Sequence, residues 1–422
     1  MYSVQKFAII QGLLLAAAIL FTAPALANTE GWGTIQITSN DYYDWYPRIS
    51  QHTVVWQGQV NGEDWEILYY DIDTTSIHQL TNNTYDDYDP VICYPYVVWE
   101  SDCGTGDTYE IYFCDLSATR PKPLRLTNND YHDIYPDVSI ASRTNPHPMV
   151  VWQGNPKGDN WEIFHYDGTV VEQLTDDVKD DQLPKVSGDN IVWRNGTASN
   201  EWEIYLYNGT IPIRLTDNLF PDSRPDISGS NVAWECLDGS YWEIYGYYAG
   251  SVIRITNNAD VNDRHPVVSG TKVAWQRGDY PSARIGSYDF TTPNVTSYHG
   301  PSGHNSEYRL YEEELVWQND DRFNPSSYPN SIIYTNFNGE ATFSDYPNRR
   351  YSFPDVFESI IVYEASQYGE PDSTEIMMSF RCQPELMFDY NDDCKVDFKD
   401  FAIWAVEWLE CNRQPAILCD LD

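Results

Sequence analysis

Residues 184–216 read PKVSGDNIVWRNGTASNEWEIYLYNGTIPIRLT, and this stretch decides the fold. Its short apolar runs, at 186, 191–193, 204–207 and 213–215, alternate with clusters of Gly, Asn, Asp and Ser. Runs of that length bounded by turn-forming residues are strands joined by tight turns, so the stretch predicts a four-stranded meander. A single meander of this size cannot bury its own faces. Roughly three or more copies must therefore stack to share a core.

Copies recur along most of the chain. Each second strand ends in an aromatic residue, at Trp56, Trp99, Trp152, Trp193, Trp234, Trp275, Trp317 and Tyr363, with spacings of 43, 53, 41, 41, 41, 42 and 46 residues. Such spacings are those of propeller blades rather than solenoid coils. A Pro opens the first strand of seven copies (Pro47, Pro90, Pro136, Pro184, Pro225, Pro266, Pro354), where no ladder donor is yet needed. Fourth strands end in Thr38, Thr81, Thr127, Thr175, Thr216 and Thr256. The first of these, TIQIT at 34–38, precedes any first strand, while the last copy supplies only three strands. The N-terminal strand is thus expected to complete the last blade and close the ring, which leaves few exposed edges. The expected fold is an all-β propeller of eight four-stranded blades. The copy around Tyr308 is the weakest match, which keeps seven blades as the alternative.

The phrases LTDN, PDISG, VAW and WEIY, repeated in order over residues 34–380, resemble the TolB-type β-propeller repeat of exported bacterial proteins. The resemblance implies the fold. It is poor for function, because that repeat serves protein-binding, glycan-related and peptidase-associated roles alike.

A formal net charge of −39 argues against nucleic acid or an anionic membrane surface as partner, since both need Lys and Arg to meet phosphate. Residues 1–27 read as a signal peptide: Lys6 gives the positive start, 7–21 the apolar run, and Ala25-Leu26-Ala27 the cleavage site. The mature protein is expected to be secreted or held at the cell surface, with no membrane insertion after cleavage. Eight Cys in an exported chain are compatible with disulfides of unread connectivity.

Two kinds of residue could carry chemistry. Asp44, Asp87, Asp133, Asp181, Asp222 and Asp263 stand three residues before the Pro of their copies. A residue that nearly every blade has is best explained by what every blade needs, so these are assigned to accepting backbone N–H groups in turns rather than to a cation ring. Positions that break the repeat are better candidates. Inter-blade loops and the loops between second and third strands emerge on one face, which gathers Arg194, Arg224, Arg264, His265 and Arg277 across blades four to six. A basic sector on so acidic a protein suits an anionic or carbohydrate ligand bearing carboxylates. Neither a G-x-S-x-G elbow nor a zinc-type His or Cys spacing occurs in the propeller, so catalysis is not the leading expectation.

After the propeller (28–382) and a linker (383–388) comes a different segment, 389–422. Asp389, Asn391, Asp393, Lys395 through its carbonyl, Asp397 and Asp400 occupy positions 1, 3, 5, 7, 9 and 12 of a calcium loop. Phe398, Phe401, Ala402, Ala405, Trp408 and Leu409 then form one apolar helix face. The segment resembles one dockerin repeat, which implies Ca2+ as cofactor and a cohesin-like or cell-surface protein as partner. It departs from that pattern with Cys394 at the usual Gly position, Asp400 in place of the longer Glu, and only one repeat. The leading expectation is a secreted, non-catalytic binding propeller tethered by this tail. The alternative is a carbohydrate-active enzyme, a polysaccharide lyase or glycoside hydrolase, delivered by it.

Overall fold

A computed structural model describes residues 32–381, apart from 63, 104–107, 142–145, 157, 159, 198–200, 280–282, 299–307, 320–330, 337–339, 344–348 and 368–373. The residues expected to form a signal peptide (1–27), a linker (383–388) and a calcium loop (389–422) lie outside the described residues.

Eight four-stranded antiparallel sheets form the blades of a propeller. The quoted stretch falls in blade four, which consists of Asp180–Ser187, Asn190–Gly196, Glu203–Tyr207 and Pro212–Arg214 in sheet order. The weakly matching copy is a full blade seven, built from Tyr308–Tyr311, Glu314–Asn319, Ser331–Thr335 and Glu340–Phe343. Eight blades, not seven, is therefore the count. Blade eight takes Arg349–Phe357, Ile360–Gln367 and Thr374–Arg381 from the end of the propeller, and its outer strand is Trp32–Gln36. That strand pairs from Trp32↔Arg381 to Gln36↔Met377. Closure is completed inside the ring, where the Ile49 N–H of blade one donates to Asp355 Oδ2 of blade eight at 2.9 Å.

The core lies between neighbouring blades. Second strands are buried on both faces, so the runs ending in Trp56, Trp99, Trp152, Trp234, Trp275 and Trp317 are fully covered. One cluster joins Val98, Ile111 and Phe113 of blade two to Val138, Val150, Trp152 and Phe164 of blade three. Large flat side chains suit such wedge-shaped spaces because one ring fills the gap at little entropic cost.

The repeated polar residues form one network in each of blades one to six. Asp222 Oδ1 accepts the Trp234 indole N–H at 2.9 Å, and its Oδ2 accepts the Asn218 side-chain amide at 2.7 Å. The same indole-to-Asp bond links Trp56 to Asp44, Trp99 to Asp87, Trp152 to Asp133, Trp193 to Asp181 and Trp275 to Asp263. The terminal Thr accepts a third-strand N–H, as Thr256 Oγ1 does from Ile244 at 2.8 Å, and donates to the repeated Glu, here Glu243 Oε2 at 2.6 Å. Thr38 makes the equivalent bonds to Ile376 and Glu375, so TIQIT carries the full fourth-strand chemistry. The repeated Asp is thus a scaffold residue, as expected, but its donors are side chains rather than turn backbone.

The Pro does not open its strand. In blade one the strand Asp44–Ser50 starts three residues earlier, and the ladder skips from Trp45 to Arg48. A bulge at this point places Pro47 where no ladder donor is missed. The residue before the Pro adopts a left-handed backbone in each of the seven copies: Tyr46, Asp89, Tyr135, Leu183, Arg224, His265 and Phe353, with φ between 49° and 56°. Such conformations are costly for non-Gly residues and persist only where surrounding contacts hold them.

Candidate binding face and channel

The first strands of all eight blades line a central cavity of about 690 Å³. At its mouth the bulge turns six of the left-handed residues into the cavity wall: Tyr46, Asp89, Tyr135, Leu183, Arg224 and His265. Their backbone N–H groups are held by the residue after the second-strand aromatic of the preceding blade. Gln57 takes Asp89, Glu100 takes Tyr135, Gln153 takes Leu183, Glu235 takes His265 and Glu364 takes Tyr46, at 2.6–2.8 Å. The residue after the second-strand aromatic is therefore, in these five blades, an inter-blade clip. Arg194 cannot accept. It donates instead to Ser223 Oγ of blade five at 2.8 Å and to Gln182 Oε1 at 2.6 Å.

Three of the five basic candidates, Arg194, Arg224 and Arg264, come together, and Arg224 lines the cavity mouth. Buried Glu235 gathers two of them, with Arg264 Nη2 at 3.3 Å and Arg224 Nε at 3.6 Å from its Oε1. Burial, together with the like charge of Arg224 nearby, holds the Arg194 guanidinium below the usual arginine range. The Arg194 and Arg264 guanidinium groups lie over Trp202 and Trp242, 4.2 and 4.7 Å from the ring centroids. Their buried Nε donors have no hydrogen-bond partner. Glu235 and Asp180 offset part of the charge of the three arginines. Arg224 is the most accessible of them, with 53% of its side chain exposed.

The other two candidates behave differently. Arg277 Nη1 bonds Asp263 Oδ2 at 3.1 Å, at the position where Ser101, Asn195 and Cys236 pair with the repeated Asp of their blades. It belongs to the scaffold network. His265 lines the mouth, but burial, with Arg224 and Arg264 nearby, pushes its ring down to about 4, so it is neutral near pH 7.

Two features of this face were not read from the sequence. An aromatic arc crosses blades eight to three. Its ring contacts run from Phe353 to Tyr46 at 4.6 Å, through Trp45 and Trp65 at 4.5 Å, to Tyr88, Tyr109 and His132. The inter-blade loops leading into blades four and five also carry exposed apolar side chains, Val178 at 89% and Leu219 at 93%. Asp41, Thr84 and Asp130 hold the corresponding tips of blades one to three. Among the described residues no group of three or more His, Cys, Asp or Glu is placed to hold a metal ion. The four described cysteines, Cys93, Cys103, Cys114 and Cys236, are free thiols.

No family model and no curated protein sequence matches the chain. Solved structures do. A prolyl endopeptidase structure is 11% identical with a TM-score of 0.54, covering 78% of this chain and 53% of its own. A puromycin-hydrolyzing peptidase of Mycobacterium tuberculosis is 14% identical with a TM-score of 0.51, covering 76% of this chain and 57% of its own. The shared feature is the β-propeller fold. This chain spans a little over half the length of those two peptidases. TolB from Agrobacterium tumefaciens is 17% identical with a TM-score of 0.35, covering 55% of this chain and 86% of its own.

Proposed function

We propose that the protein is an exported binding propeller whose mouth, across blades four to six, takes a carboxylate-bearing ligand. The observation that carries this reading is Arg224. A strained left-handed residue at a bulge projects a half-exposed guanidinium into the cavity mouth, where its Nε approaches Glu235 no closer than 3.6 Å. Arginine presents up to five donors in a planar fork matched to carboxylates, so most of its bonding capacity stays available for a ligand. The apolar tips Val178 and Leu219 beside this sector favour a ligand that also presents an apolar group. For uronic-acid oligosaccharides and acidic peptides titrated into the full chain, Arg224→Gln should weaken whichever binds by about 1.5–3 kcal/mol for a lost charge-assisted hydrogen bond. The unfolding midpoint should hardly move. Binding that is indifferent to this change removes the basis of the reading. Arg194→Gln is a poorer probe, because its bonds to Ser223 and Gln182 make it part of the scaffold.

The tail belongs to the same proposal, as the tether. Asp389 and Asp393 would ligate Ca2+ through the loop spacing, and ligand-linked stability belongs to the unit that binds. Calcium addition should raise the helical circular-dichroism signal of the full chain, and the double change Asp389→Ala and Asp393→Ala should abolish that rise. An identical calcium response in the variant sinks the tether.

A further inference from the structure

One ring of the channel wall lies a step below the mouth. It is formed by the residue directly after the Pro or, in blade seven, after Tyr308. Each such residue pairs in register with the residue preceding the second-strand aromatic, so the eight positions are equivalent, and all eight line the cavity. Blades seven, eight and one contribute Arg309, Asp355 and Arg48. Blades three, four and five contribute Asp137, Lys185 and Asp226. Val91 and Val267 separate the two groups.

In a ring of eight, each blade faces the one four positions on. Arg48 therefore stands opposite Asp226, Arg309 opposite Asp137, and Lys185 opposite Asp355, while Val91 faces Val267. One wall reads plus, minus, plus and the other minus, plus, minus. The charge order is inverted across the axis.

Within each wall the opposite charges approach one another only at ion-pair distance. Lys185 Nζ is 3.9 Å from Asp137 Oδ1 and Arg309 Nε is 4.0 Å from Asp355 Oδ1, both beyond hydrogen-bond distance. The side chains are instead anchored to backbone. Asp137, Asp226 and Asp355 each accept a next-blade N–H through Oδ2, from Val186, Val268 and Ile49 at 2.8–3.0 Å. Arg48 and Arg309 each donate Nη1 to the carbonyl of the preceding residue, at 3.0 and 2.9 Å. Both walls are thus preorganised. Burial, with the like charge of Arg309, pushes Arg48 down to about 10, against the opposing pull of Asp355, Asp89 and Glu364.

We propose that this girdle binds a small zwitterion carrying its carboxylate and its ammonium at opposite ends, the chemistry of a short peptide with free termini. The carboxylate lies on Arg48 and Arg309, and the ammonium lies on Asp137 and Asp226. An ion of one sign would gain one wall and meet repulsion at the other, whereas a zwitterion complements both. Its orientation is fixed, because reversal sets its ammonium against two arginines. The cavity of about 690 Å³ falls within the range of small-ligand pockets, about 300–1,000 Å³.

The test titrates triglycine to hexaglycine into the full chain by calorimetry, each with free termini, with an acetylated amine, or with an amidated carboxylate. At least one free peptide should bind, and either block should weaken it by about tenfold or more, as loss of a charge-assisted contact requires. Arg48→Gln should erase the discrimination against the amidated form and keep that against the acetylated form. Asp226→Asn, which retains an oxygen for the Val268 N–H, should do the reverse. Equal affinity of free and blocked peptides overturns the proposal, as does an absence of heat and of thermal stabilisation from every free peptide up to its solubility limit. The comparison of blocked and free probes uses the parent protein, so it stands even if a variant folds poorly.

Discussion

Deletion of residues 28–39 is expected to destabilise the propeller by more than about 5 kcal/mol, since loss of one buried Trp side chain alone costs about 3–5 kcal/mol. Trp32 is buried and packs edge-on against Tyr334 of blade seven at 4.9 Å, so the strand binds its own sheet and the neighbouring blade together. Thr38 adds the Ile376 and Glu375 bonds, and Thr34 Oγ1 meets Ser379 Oγ at 2.8 Å. The deletion would also bare the edge of Thr374–Arg381, a ready template for strand addition by another chain. Urea unfolding of the truncated chain should therefore show a much lower midpoint, accompanied by association. Trp32→Ala and Thr38→Ala should give intermediate midpoints. A truncated protein that unfolds at the parental urea concentration would show that closure by this strand contributes little.

The scaffold was legible because most blades need the same thing at the same offset. The Trp at intervals near 41 residues, TIQIT before any first strand, and the Asp twelve residues before its Trp in most blades are all consequences of one network repeated around a ring. What the sequence hid depends on backbone and reach. Pro47 looks like a strand opener, since nothing in its neighbours announces a left-handed Tyr46, yet that bulge decides which side chains enter the channel. Strand direction alone placed Arg194, Arg224 and Arg264 together correctly. It could not show that Glu235 gathers two of them or that Arg277 turns back to Asp263, because a long side chain chooses among several neighbours in reach. The girdle escaped for another reason. Its pattern is absent along the chain and emerges only when Arg48 is set against Asp226, four blades away.

The network at the repeated Asp carries the second large effect. Asp222→Ala leaves the buried Trp234 indole N–H without its acceptor, which costs about 1–3 kcal/mol, whereas the Asn218 amide, on an exposed residue, can turn to water. A loss of about 1–3 kcal/mol is expected by urea unfolding. The carboxyls themselves make stability depend on pH. Burial pushes Asp44, Asp133 and Asp181 up to about 7 and Asp222 and Asp263 up to about 6. In the unfolded chain an aspartate titrates near about 3.9. A group raised on folding holds its proton more tightly in the native state. Its contribution is complete below the unfolded value and is lost as pH rises through about 6 to 7. Relief of self-repulsion in a chain of net charge −39 acts in the same direction on acidification. The fold should accordingly be more resistant to urea at about pH 5 than at about pH 8, and Asp222→Ala should lessen that difference by removing one of the groups that titrate. Stability that climbs from the acidic to the alkaline side would mean that these buried carboxylates are held ionised by their donors, and that the indole and amide bonds outweigh burial.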